Sequence, residues 1–186
     1  MSIKKVSFIN DVYYVKKHNK PKEIFKTLIK ILKRENKEKK LSLIDIGCAN
    51  GELLFHLNKN FPGYDLSGID VDSNLLKKAK KICPNNVKFL KYDVLNSNKN
   101  LGKFDIIILS GVLSIFSNAE KILTNLIKIL NPNGRIFVFE SLNLYSYNLY
   151  IKSETFKKNK KIIWYKNMYS KDFIEQIAKK NKKRCV

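Results

Sequence analysis

Arginine, histidine and long apolar runs are scarce in this sequence, and each scarcity narrows the function. The 186-residue chain has a formal net charge of +21, yet arginine occurs only at Arg34, Arg135 and Arg184. A basic chain is suited to nucleic acid or to an anionic membrane surface. Nucleic-acid recognition favours arginine, because its planar guanidinium binds in two places at once. The charge therefore indicates a solvated lysine surface first, and nucleic-acid binding is the less favoured interpretation.

Sequence features that would mark export, membrane insertion or a metal site are also missing. No apolar run approaches the roughly 20 residues of a membrane span, and the first residues lack the apolar core of a signal peptide. Cysteine occurs at Cys48, Cys83 and Cys185, an odd number without metal-ligand spacing, which indicates free thiols in a reducing compartment. We therefore expect a cytoplasmic protein with no metal site and no membrane span.

Strand-like and helix-like segments alternate along most of the chain. The strands are predicted at Leu41–Ile46, Leu66–Asp70, Val87–Leu90, Phe104–Ser110 and Arg135–Glu140. Helical spacing predicts helices over Pro21–Asn36, about Gly51–Asn60, about Ser73–Ile82, and from Ser117 to Leu130, the last opened by a capping box of Ser117 and Glu120. Five strands separated by helices or crossovers predict a mostly parallel, doubly wound α/β sheet with helices on both faces.

The segment after the fifth strand has a weaker pattern. It is aromatic and polar without a clean period, and Lys160–Tyr165 (KKIIWY) is its only strand-like run. A final helix is predicted after Ser170, with Phe173, Ile174 and Ile177 facing inward.

Unusual residues follow the first four strands, at the edge where ligands of open parallel sheets bind. Asp45 stands near the end of the first strand and leads into the glycine loop GCANG, Asp70 ends the second strand, and Asp93 follows the third. The fourth strand ends in LSGVLS, with small residues where a ligand would lie. The second acid is suited to accept hydrogen bonds from ribose hydroxyls, and the third from an exocyclic adenine amine. Asp65 and Asp72 fit ordinary turn or helix-cap positions and are left out of the site.

A nicotinamide dinucleotide site is the natural competitor, since it also joins a glycine turn to a later acid. Here the spacing is Gly47-x-x-x-Gly51 without a third glycine, and no lysine occurs from Leu41 to Asn58. Buried strands explain part of that depletion. A ligand that carries its own positive charge explains the remainder.

Five segments of the chain resemble a known family in their order and spacing. LIDIGCANGELL, GIDVDSNLLKKAKK, VKFLKYDVL, FDIIILSGVLSIF and KILNPNGRIFVFE resemble the successive motifs of class I S-adenosylmethionine-dependent methyltransferases. The resemblance covers residues 41–140 and implies a Rossmann-like fold with S-adenosylmethionine as cofactor. The cofactor-binding residues that it implies are Asp45, Gly47, Cys48, Ala49, Asn50, Gly51, Asp70, Val71, Asp93, Val94 and Ser110.

The resemblance also implies individual roles. The glycine loop and Asp45 would hold the methionine part of the cofactor, with Ser110 lining that side. Asp70 would bind the ribose hydroxyls, and Val71 would flank the adenine. Asp93 and Val94 would meet the adenine edge.

Two departures from the family pattern affect the loops, and one affects the tail. Ala49 stands where the family commonly has a third glycine, and Asn133-Gly134 stands where it has two. The family's sheet usually closes with an antiparallel strand pair, which we expect to be missing or incomplete here. We therefore expect a single methyltransferase domain over residues 1–186. Residues 1–40 would form a lid and a helix, and residues 41–140 the cofactor-binding core. Residues 141–186 would form a segment on the substrate side, for which truncation is one interpretation.

The absence of certain motifs narrows the choice of methyl acceptor. LSGVLS follows the fourth strand instead of the Asn/Asp-Pro-Pro-aromatic motif of amino methyltransferases. Methyl transfer needs mainly orientation of the acceptor, and a general base only where the acceptor must lose a proton. The sequence therefore favours a small-molecule acceptor, oxygen before carbon, and leaves open an RNA methyltransferase or an inactive cofactor-binding relative. The oligomeric state is not predicted.

Histidine and aromatic side chains are the remaining candidates. His18 lies in the predicted lid, where acid–base work is the minor alternative to a solvated position, and His56 is interpreted as structural. The aromatic residues that flank the core are suited equally to wall an acceptor pocket or to pack beneath the tail; they are Tyr13, Tyr14, Tyr145, Tyr147, Tyr150, Trp164 and Tyr165.

Overall fold

The computed structural model describes residues 20–35, 40–95, 100–116, 118–157 and 160–185. Within these ranges, the side chains of residues 35, 155–157 and 160–165 are not described. The predicted lid with Tyr13, Tyr14 and His18, the predicted cap Ser117, and the side chains of Trp164 and Tyr165 therefore lie outside the described part of the chain.

Five parallel strands form the main sheet. They are β1 (Ser42–Ile46), β2 (Asp65–Asp70), β3 (Lys88–Lys91), β4 (Phe104–Ser110) and β5 (Leu130–Phe139). Their spatial order is β3-β2-β1-β4-β5, so the chain enters at the centre and winds outward in both directions. The predicted doubly wound α/β fold is confirmed.

Helices cover both faces of this sheet. They are α1 (Glu23–Glu35), α2 (Glu52–Asn60), α3 (Ser73–Ile82), α4 (Ala119–Lys128) and α5 (Lys171–Lys180). Apolar side chains of α1, α2 and α3, such as Leu28, Leu54 and Leu76, form one buried cluster, and those of α4 and α5, such as Ile122 and Ile177, form the other. No helix in the described ranges is both long and apolar enough to cross a membrane.

Side-chain caps fix where three helices begin. Asp72 and Ser170 cap α3 and α5, as their positions before the helices predict; their side-chain oxygens accept from Asn74 N at 2.7 Å and Phe173 N at 3.1 Å. For α4 the predicted start is wrong, because the observed cap is Asn118, whose Oδ1 accepts from Lys121 N at 2.8 Å. Asparagine caps a helix as well as serine does, so the sequence SN offers two adjacent starts.

Strand β5 begins earlier than predicted. Phe104 pairs with Leu130, and pairing resumes only at Ile106 with Arg135, so the register shifts across the turn-like sequence NPNG. Asn131 Nδ2 donates to Asp105 Oδ1 at 2.7 Å and fastens this bulge. Turn-forming residues within β5 therefore mark a bulge. From the sequence alone, such residues look the same whether they form a bulge or precede the start of a strand.

The tail holds a hairpin that the sequence did not reveal. Strands β6 (Leu149–Lys157) and β7 (Lys160–Met168) pair antiparallel as a separate two-stranded sheet. The interpretation of Lys160–Tyr165 as the only strand-like run is therefore wrong. Residues 149–154 are exposed on both faces, so β6 carries no alternation of buried and exposed residues. Among the described strands, none is antiparallel within the main sheet, and none pairs with the outer edge of β5.

Candidate functional site

The residues predicted for the site lie along the carboxyl edge of the main sheet. Because all five strands are parallel, their carboxyl ends share that edge, with Ile46 of β1 in register with Ile69 of β2 and Leu109 of β4. The winding direction reverses between β1 and β4. That switch point is where open α/β sheets bind ligands.

The glycine loop after β1 is hydrogen-bonded to β2 and closely approaches the loop after β4. Gly47 N and Cys48 N both donate to Ile69 O, at 2.8 and 2.9 Å. Gly47 has a φ of 70°, and a Cβ there would lie 2.6 Å from Val112 Cγ2. Only glycine fits this combination of left-handed backbone and close approach.

Ala49 shows why the family has a third glycine at its position. Its φ is 49°, in the left-handed region that β-carbons disfavour. The loop keeps the conformation typical of glycine although the residue is alanine. Ala49 therefore occupies a backbone conformation that glycine adopts more readily.

Asp70 joins the end of β2 to the glycine loop. Its Oδ2 accepts from Ala49 N at 2.9 Å, and its Oδ1 accepts from Asp72 N at 2.8 Å. Burial raises the pKa of this carboxyl, while the two backbone donors act against that rise. Each carboxylate oxygen has a second lone pair, so Asp70 can accept further hydrogen bonds.

Asp45 lies behind the loop, on the central strand. It is 3% exposed and stands in register with Gly68 of β2 and Ile108 of β4. Burial, and then the charge of Asp70, raise the pKa of Asp45 to about 8. A cation held nearby would lower the pKa of both acids, so the pair is suited to a positively charged ligand.

The segment after β3 joins the same end of the site. Tyr92 N donates to Asp70 O at 3.0 Å, which brings Asp93 and Val94 to the end of β2. Asp93 Oδ1 accepts from Leu95 N at 2.9 Å. Val71 is 61% exposed, an apolar side chain left open directly beside Asp70.

Ser110 ends β4 on the other side of the glycine loop. It pairs with Phe139 of β5, and the following Gly111 donates its N–H to Phe139 O at 3.0 Å. No atom lies within 4 Å of the position that a Cβ on Gly111 would take. The end of β4 is therefore open.

Sequence reasoning missed Glu140, which follows β5 at the same edge. Its Oε1 accepts from Leu113 N at 2.5 Å and Ser114 N at 3.4 Å. Glu140 thus holds the short 3-10 helix Leu113–Ile115 that follows β4. The rule that singled out acids after the earlier strands would have found it.

Two cysteines and one histidine near the loop are buried. Burial raises the pKa of Cys83 to about 12 and that of Cys48 further, so both thiols stay protonated and are poor nucleophiles. His56 is buried, with its ring 5.3 Å from that of Phe55. Across the described ranges, no cluster of histidine, cysteine and acidic residues could hold a metal.

A cavity of about 530 Å³ lies elsewhere, along α1. Its lining includes Ile29, Lys30, Lys33 and Asn60. Asn60 ends α2, so this groove is at the opposite end of that helix from the glycine loop. It plays no part in the carboxyl-edge site.

A doubly wound sheet with a glycine loop, one buried and one half-buried acid, and an open apolar flank at its switch point defines a cofactor-binding α/β protein. The chain belongs to the methyltransferase-domain family, whose model matches residues 37–185. The predicted class, the S-adenosylmethionine-dependent class I methyltransferases, is thereby confirmed, and with it the cofactor at the level of the family.

Individual relatives agree with this membership. The chain is 26% identical to the demethylmenaquinone methyltransferase of Lactococcus lactis, over 67% of this chain and 54% of that protein. It is 25% identical to the plantazolicin methyltransferase BpumL, solved with SAH, at a TM-score of 0.55, over 62% of this chain and 44% of that one. The PH0226 protein of Pyrococcus horikoshii, 18% identical, shares the fold over 91% of this chain and 88% of its own, with a TM-score of 0.66.

The chain spans about half the length, or less, of the curated relatives that it matches first. The matches therefore establish the family and the fold. The acceptor is not fixed by them.

Proposed function

We propose that this chain binds S-adenosylmethionine along the carboxyl edge and transfers its methyl group to a small-molecule acceptor, with oxygen as the favoured acceptor atom. The observation that carries the proposal is the Asp70 carboxylate. It is fixed between Ala49 N and Asp72 N, yet it retains acceptor capacity at the open edge of the sheet.

In this proposal, different residues of the carboxyl edge bind different parts of the cofactor. Asp70 accepts from the ribose hydroxyls, Val71 flanks the adenine, and Asp93 with Val94 meets its polar edge. The glycine loop, residues Gly47 to Gly51 with Cys48, Ala49 and Asn50 between them, holds the amino-acid end, with Ser110 on its far side. The first N–H groups of α2, which no side chain caps, are suited to a carboxylate.

The electrostatics of the edge fit the charge of this cofactor. S-adenosylmethionine, when bound, supplies a methyl group activated by a sulfonium cation. Asp45 and Asp70 both have raised pKa values in the protein alone, and a cation beside them relieves the cost of ionising them. A lysine in the loop would oppose that cation, and residues 41–58 contain none.

The acceptor end is proposed at the loop after β4. Glu140 holds Leu113 N and Ser114 N of this loop, and a carboxylate there is suited to take a proton from a hydroxyl acceptor. Tyr145, Tyr147 and Tyr150 are exposed rather than packed in the core. Of the two uses considered for these aromatic side chains, walling an acceptor pocket is supported better by that exposure than packing beneath the tail.

Transfer of a tritium-labelled methyl group tests the proposal. The purified chain is incubated with labelled cofactor and a cell extract, and the extract is then separated into small molecules, protein and RNA. We expect label in the small-molecule fraction, lost in Asp70→Ala and retained in Asp65→Ala. Label confined to RNA would favour the lysine-surface alternative, and no label in any fraction would contradict catalysis.

A further inference from the structure

The tail carries an apolar surface beside the proposed acceptor end. We define the hairpin surface as the six exposed side chains of Leu144, Tyr145, Tyr147, Leu149, Tyr150 and Ile151. We propose that this surface docks the protein onto an anionic lipid bilayer. Lipid binding does not depend on the proposed methyl transfer, so the two can fail separately.

The exposure of these side chains is unusual for residues of their size. Leu144 is 89% exposed and Tyr145 69% exposed. The rings of Tyr145 and Tyr147 stack with their centroids 5.8 Å apart. Because side chains alternate along a strand, Leu149 and Ile151 lie on one side of β6 and Tyr150 lies on the other. Tyrosine with leucine and isoleucine is the composition that enters the boundary between lipid headgroups and acyl chains.

The hairpin does not bury these residues by its own folding. Residues 149–154 are exposed on both faces of the two-stranded sheet. Two-stranded hairpins are marginal in water unless another surface packs against them. The exposed apolar side chains of the hairpin surface are therefore suited to contact a partner.

Hydrogen bonds hold the base of the hairpin to the loop after β4, so the hairpin surface has a defined position in the fold. Asn167 Nδ2 donates to Phe116 O at 2.7 Å, and the Tyr169 hydroxyl donates to the same carbonyl. Asn167 and Tyr169 are both buried. Phe116 ends the loop after β4, so docking through the hairpin would bring that loop to the membrane.

Exposed lysines, Lys152 and Lys166, lie in the same hairpin as these apolar side chains. Lys166 stands in register with Ile151, and the last registered pair of the hairpin is Lys157 with Lys160. The sequence between Phe156 and Ile162 is KKNKK. Juxtaposed lysines and apolar side chains bind anionic bilayers by two additive attractions.

Charge and composition also distinguish the lipid surface from other partners. The net charge of +21 makes two copies of the chain repel each other, which disfavours self-association through this face. Single-stranded nucleic acid stacks on aromatic rings and recruits arginine. The hairpin has aliphatic Leu144, Leu149 and Ile151 and contains no arginine.

Vesicle flotation of the full chain tests the proposal. We expect flotation with vesicles of phosphatidylglycerol and phosphatidylcholine in equal parts, none with phosphatidylcholine alone, and loss at high salt. Leu144→Ser combined with Tyr145→Ser should weaken binding at least about tenfold, because it removes two side chains from the hairpin surface. Both are so exposed that the fold should tolerate the change, and Tyr147→Ser with Ile151→Ser serves as a second, independent pair.

The matched control is Ile24→Ser with Leu90→Ser, two exposed apolar residues on α1 and β3. It should bind vesicles as the wild type does. The proposal is wrong if the wild type does not float with anionic vesicles, or if both hairpin pairs float as well as the control. Loss of single-stranded RNA binding in the hairpin pairs, with vesicle binding intact, would assign the surface to nucleic acid instead.

Discussion

Asp45 is buried beside the glycine loop, where burial and the charge of Asp70 raise its pKa to about 8 from an ordinary value of 3.8. The folded protein therefore binds more protons than the unfolded chain between these two pH values. Its free energy of unfolding falls as the pH rises through that window and levels off above it. The acid thus destabilises the protein at neutral pH while it prepares the edge for a cation.

Asp45→Asn should remove that penalty. We expect the ligand-free variant to be more stable than the wild type above pH 8, by at least about 2 kcal/mol, with no gain near pH 4. Urea unfolding across this pH range measures the difference. Asp65→Asn, at an exposed acid paired with Lys88, should leave the slope unchanged, and an unchanged slope in Asp45→Asn would contradict the burial argument.

Gly47 has a left-handed backbone conformation that a residue with a side chain adopts only with strain. Gly47→Ala should destabilise the protein by about 1–3 kcal/mol from its left-handed φ alone, and by more from the contact with Val112. Gly63→Ala is the matched control, because no atom lies within 4 Å of its Cβ position. Denaturant unfolding measures the free energy of unfolding of both variants. Equal values would show that the glycine loop accommodates a side chain at Gly47 without cost.

At the scale of elements, the hairpin depends on a few bonds to the loop after β4. Tyr169→Phe removes the hydroxyl that donates to Phe116 O and leaves the ring in contact with Phe173. We expect a loss of about 1–2 kcal/mol of stability, with faster amide exchange in β7. Tyr147→Phe, on an exposed ring, should cost nothing measurable. If Tyr169→Phe also costs nothing, the Tyr169 hydroxyl does not contribute to holding the hairpin.

Strand β5 pairs with β4 on one side only, among the described strands. Its residues Ile136–Phe139 are half-buried, whereas β4 is almost fully buried. We expect amides on the outer edge of Ile136–Phe139 to exchange faster than those of Leu43–Ile46, and this exposed edge to promote association at high concentration. A soluble monomer in which both segments are equally protected would show that the edge is covered.

The central strands could be predicted because their apolar runs are bounded by clear turn residues. Observed β1, β2 and β4 start within one residue of the prediction and end where predicted. β6 could not be predicted, because residues 149–154 are exposed on both faces and leave no periodic signal. The bulge in β5 depends on contacts of Asn131 with Asp105 that no local pattern encodes.

The candidate site was predictable in position and not in detail. Asp45, Asp70 and Asp93 could be placed because a parallel sheet collects its strand ends at one edge. The hydrogen bond from Ala49 N to Asp70 and the raised pKa of Asp45 could not, because they depend on distances between segments. The roles of these residues toward the cofactor remain proposals.

At the scale of the whole molecule, positive charge is absent from the sequence of the glycine loop and of the segment around the end of β4. The net charge is +21, yet residues 41–58 and 104–120 contain no lysine or arginine. Among the described side chains, exposed lysines are frequent on α1, α3 and α5. A cationic cofactor thus meets carboxylates at the carboxyl edge, while the rest of the surface is suited to anionic partners.

Calorimetric titration with SAH tests the cofactor edge most directly, because it needs no acceptor. We predict that the wild type binds, that Asp70→Ala binds at least about tenfold more weakly through lost charge-assisted hydrogen bonds, and that Asp70→Asn falls between them. Asp65→Ala, at the opposite end of the same strand β2, should bind as the wild type does. If Asp70→Ala binds SAH as tightly as the wild type, the assignment of the ribose to Asp70 is wrong, and with it the proposed position of the cofactor.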